Sequence, residues 1–84
     1  MNFDQLINYL KHMKKKVQEM VPESELEKSM VRVSNYIVSK WADDKDFMLS
    51  EKELDSLLNP QKFKYKFLDK LNVKKLFNKY FYFN

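Results

Sequence analysis

Apolar residues recur at helical intervals along most of the chain. Phe3, Leu6, Leu10, Met13, Val17 and Met20 alternate steps of three and four residues, which draws one narrow seam along a helix. A seam of this width suits a helix laid along another helix, in the same chain or in a second copy. Asn2 and Gln5 have the spacing of a capping box, and Asp4 sits in the first turn, where a carboxylate is favourable. The pattern predicts a helix over 3–21, with Pro22 ending it or beginning the next.

A second stripe begins beyond Pro22. Leu26, Met30, Val33, Ile37 and Trp41 keep helical spacing, and Val31 and Val38 widen the apolar face enough for two neighbours. Ser24 and Glu27 form the expected cap of a helix over 24–41. A short helix over 50–58 is predicted next, capped by Ser50 and Glu53 and carrying Leu54, Leu57 and Leu58. Asn59 is the expected left-handed terminal residue, and Pro60 stops the helix. Residues 61–80 predict a further helix interrupted near Asn72. "KFKYKF" at 62–67 also alternates in the manner of a strand, so a short C-terminal β-ribbon involving 62–67 and 80–83 is the alternative. The expected fold is all-α: a small single-domain bundle of about four helices spanning 1–84.

Composition narrows the chemistry. With 84 residues the chain is one domain's length, and a domain of this size buries only about 60% of the surface its unfolded chain exposes. There is no cysteine, which removes disulfides, thiolate metal sites and cysteine nucleophiles. There is no glycine, so a phosphate-cradling loop that needs close backbone approach is excluded. His12 is the one histidine and lies off the apolar seam, where it is expected to be exposed. No hydroxyl nucleophile has a histidine partner that spacing identifies. The expectation is therefore a protein that is not an enzyme, with no cofactor and no catalytic residue. No apolar run approaches the roughly 20 residues that span a bilayer, and no signal-peptide pattern opens the chain; a cytoplasmic location is expected.

Charge is unevenly distributed. The net charge is +4, made of +2 over residues 1–21, −4 over 22–58 and +6 over 59–84. The last third holds seven lysines against Asp69, and eight of the 13 aromatic residues. Basic and aromatic residues interleaved in this way suit an acidic protein groove, single-stranded nucleic acid or an anionic surface.

The stretch "DDKDFMLSEKEL", residues 43–54, admits three readings. With its flanks it resembles an EF-hand, the calcium-binding helix–loop–helix. If Leu49 takes the loop's central aliphatic place, the resemblance makes Asp44, Asp46, Ser50 and Glu53 the candidate metal ligands. Ala42 then stands where the first aspartate belongs, and Phe47 where the turn requires glycine, so tight calcium binding is not expected. Residues 49–71, "LSEKELDSLLNPQKFKYKFLDKL", resemble a helix-turn-helix. That resemblance makes residues 62–71 the recognition helix and Lys62, Lys64, Lys66 and Lys70 the nucleic-acid contacts. Lysines supply phosphate affinity and little base discrimination. In the third reading, which we favour, Ser50 and Glu53 are a helix cap, the aspartates solvate a loop, and the apolar residues are core.

These observations predict a non-enzymatic, basic, helical binding protein: a protein–protein interaction module, regulator or inhibitor of a larger partner with an acidic surface. Its contact is expected at Lys74, Lys75, Lys79, Tyr80, Phe81, Tyr82 and Phe83, where consecutive rings project in different directions and a small domain cannot bury all of them. The alternatives are the helix-turn-helix-like nucleic-acid binder and a degenerate EF-hand-like, calcium-responsive module. A homodimer through Phe3, Leu6, Leu10, Met13, Val17 and Met20 is a further expectation.

Overall fold

In the computed structural model the described residues are 1–59, and they form three helices: α1 (Phe3–Met20), α2 (Glu23–Asp43) and α3 (Glu51–Leu58). No strand occurs among the described residues. The small all-α bundle read from the sequence is therefore present. The expected helix and the alternative ribbon beyond Pro60 lie outside the described residues.

α1 begins as its sequence requires. The Asn2 side chain accepts the Gln5 N–H at 2.8 Å, and the Gln5 side chain accepts the Asn2 N–H at 2.9 Å, a reciprocal capping box. The helix ends at Met20 because Pro22 follows. A residue before proline is driven out of helical conformation, and Val21 is extended at φ −131°, ψ 155°. Pro22 itself is the N-cap of α2 and makes no side-chain cap bond. This corrects the expectation at Ser24: it lies inside the helix, one residue after Glu23, and is not the cap. Glu23 and Glu25 in the first turn and Lys40 in the last complement the dipole of α2 instead.

The two-residue connection 21–22 makes α1 and α2 neighbours. The Trp41 indole N–H donates to the Met1 carbonyl at 2.6 Å, so the start of α1 meets the end of α2 and the two helices are antiparallel. α3 also runs against α2. Tyr36 bonds Glu53, and one turn back along α2 Arg32 bonds Leu57, one turn onward along α3. The core takes Leu6, Ile7, Leu10, Met13 and Val17 from α1, Leu26, Met30, Val33 and Ile37 from α2, and Leu54 and Leu57 from α3. Four β-branched residues in α2 (Val31, Val33, Ile37 and Val38) are only moderate helix formers, so burial rather than propensity secures that helix.

Asn59 corrects a second expectation. It is not left-handed: its φ is −117°, and its N–H closes the helix by donating to Ser56 at 3.1 Å.

Candidate functional site

Among the described residues, the densest set of directed polar contacts lies where α2, α3 and their connecting loop 44–50 meet. Ser50 caps α3: its hydroxyl accepts the Glu53 N–H at 3.1 Å, and Glu53 Oε1 accepts the Ser50 N–H at 3.2 Å. Helical spacing alone predicts that pair. The other carboxylate oxygen, Oε2, accepts the hydroxyl of Tyr36 from α2. One carboxylate thus starts α3 and docks it. The Tyr36 ring is buried, meets Phe47 edge-on with centroids 5.9 Å apart, and has the Lys40 ammonium 5.5 Å from its centroid.

Electrostatics follow from those donors. The Tyr36 hydroxyl, aided by the Ser50 N–H and hydroxyl and by the Lys40 charge, holds the Glu53 carboxyl below its ordinary value; partial burial opposes them and loses. A carboxylate stabilised in this way is a weak base and is not poised to donate a proton near neutrality. The arrangement is suited to holding two helices together.

The far end of α3 is held by Arg32, whose guanidinium donates to the Leu57 carbonyl at 2.6 Å. That carbonyl belongs to the last turn, where helix carbonyls lack partners of their own. Backbone groups of the loop are tied down at several residues. Asp44 Oδ1 accepts the Asp46 N–H at 3.0 Å, the Phe47 N–H reaches the Asp44 carbonyl at 3.1 Å, and the Leu49 N–H donates to the Tyr9 hydroxyl oxygen at 3.0 Å. The Lys45 ammonium stands 3.7 Å from the Trp41 ring centroid, and the Lys45 carbonyl accepts a hydrogen bond from the Met1 amino group. The exposed Lys16–Glu51 pair, at 3.5 Å, adds little in open water.

The four EF-hand-like candidates divide accordingly. Ser50 and both oxygens of Glu53 are engaged by the chain, and Asp44 is turned onto the Asp46 backbone. α2 continues through Ala42 and Asp43, so the positions that would open a calcium loop are helical. No described non-glycine residue has a positive φ, and Phe47 makes no glycine-like turn. Among the described residues, no group of three or more His, Cys, Asp or Glu side chains could hold a metal ion.

Other candidates fall elsewhere. His12 is exposed, as its position off the seam implied. Leu6, Leu10, Met13 and Val17 are buried within the chain, which leaves a second copy only the ends of that seam, Phe3 at 40% and Met20 at 50% exposure. Lys62, Lys64, Lys66 and Lys70, and the set Lys74, Lys75, Lys79, Tyr80, Phe81, Tyr82 and Phe83, lie outside the described residues. No described helix is long and apolar enough to cross a membrane.

Sequence reasoning missed Tyr36, Arg32 and three buried serines, Ser29, Ser34 and Ser39. Ser29, Val33, Tyr36 and Lys40 do form a stripe at helical spacing beside the apolar one; only its mixed polarity hid it. Compared with known proteins, the chain matches no family model, no curated protein and no solved structure.

Proposed function

We infer that this chain is a non-enzymatic binding protein that engages a larger protein with an acidic surface through its basic, aromatic C-terminal run. The observation that carries the reading is the composition of residues 59–84, with seven lysines against one acid and eight of the chain's 13 aromatic residues. Lysines steer an acidic partner, and rings contribute large contact area at small entropic cost. The use of Tyr36, Ser50, Glu53 and Arg32 supports it, since the polar side chains at the helix junction are committed to structural bonds. The contact falls on Lys79 to Phe83, with Lys74 and Lys75 guiding approach.

The test compares the full chain with Lys74→Glu/Lys75→Glu/Lys79→Glu and with a deletion of 79–84, in pull-downs from the native host followed by mass spectrometry. The expected result is one partner lost in both variants while helicity persists. A truncation that unfolds the domain places the rings in the core and overturns the site. Retention on random duplex DNA that falls steeply with salt points instead to the nucleic-acid reading and Lys62, Lys64, Lys66 and Lys70.

A further inference from the structure

We draw no further inference here: the strongest candidate, the exposed basic face of α1 at Lys11, His12 and Lys15, is a charged helix face of the kind that water solvates, and nothing in the structure shows what covers it.

Discussion

Replacing Tyr36 by phenylalanine removes one oxygen and leaves the ring. The edge-on contact with Phe47 and the burial of the ring are kept, and the bond to Glu53 Oε2 is lost with the hydroxyl. A hydrogen bond to a charged group contributes about 1.5–3 kcal/mol. Glu53 is only half-buried, and water can replace part of what the hydroxyl supplied. The expected loss is therefore near the lower end, about 1–2 kcal/mol. For a domain of this length each kcal/mol moves the midpoint by about 4–8 °C. Urea unfolding followed by circular dichroism at neutral pH measures it, with the slope expected to stay the same.

The pH dependence separates this bond from a packing defect. The Glu53 pKa is lowered in the folded chain, so its contribution is fully present above the ordinary glutamate range, about 4.3, and is lost as pH falls through the lowered value. Tyr36→Phe removes the largest cause of that lowering. The gap between parent and variant should thus be widest near neutrality and close as acid protonates Glu53. A gap that is constant from neutral to acid pH, or a neutral-pH cost under about 0.3 kcal/mol, would refute the assignment of this bond as the dock of α3.

Three further outcomes are expected. Ser34→Ala should be neutral or slightly stabilising in the same unfolding assay, because the Ser34 hydroxyl is buried without a hydrogen-bond partner and alanine removes an unmet donor. Leu10→Ala should cost about 2–5 kcal/mol, since Leu10 is fully buried in the seam between α1 and α2. Arg32→Met keeps much of the stem and removes the donor to Leu57; hydrogen exchange should show faster opening of α3 with α1 little changed.

Local pattern made α1 legible almost to the residue, because one narrow face is buried and a side-chain box starts the helix. α2 was harder. Proline at 22 sets a backbone angle compatible with the N-cap by itself, so Ser24, which looks like a cap in the sequence, is not used as one. Ser29, Ser34 and Ser39 of α2 are buried against the rule that polar residues face water, and no apolar count would include them. Half of what Glu53 does was readable, since its box with Ser50 is local. The other half, Tyr36, is 17 residues away and depends on how α3 lies against α2, which no short-range spacing encodes. The expected partner contact at 74–83 lies outside the described residues and stands on composition.

The same Glu53 explains why residues 38–58 look like a calcium hand. A helix cap and an EF-hand both place a glutamate early in the second helix, with a polar residue three positions before it. In an EF-hand both oxygens of that glutamate go to the ion. In this chain one faces the Ser50 N–H and the other the Tyr36 hydroxyl. A calcium ion taking Glu53 would have to break the cap and the dock together, undoing the start of α3 and its hold on α2 in one step. Against that cost the loop offers helical Ala42 in place of a first aspartate, and an Asp44 side chain already turned onto its own backbone. The calcium-hand resemblance and the helix cap therefore compete for the same carboxylate. Two helices meeting at an acidic loop need a capping carboxylate, and here Tyr36 occupies the place on that carboxylate that a metal would need.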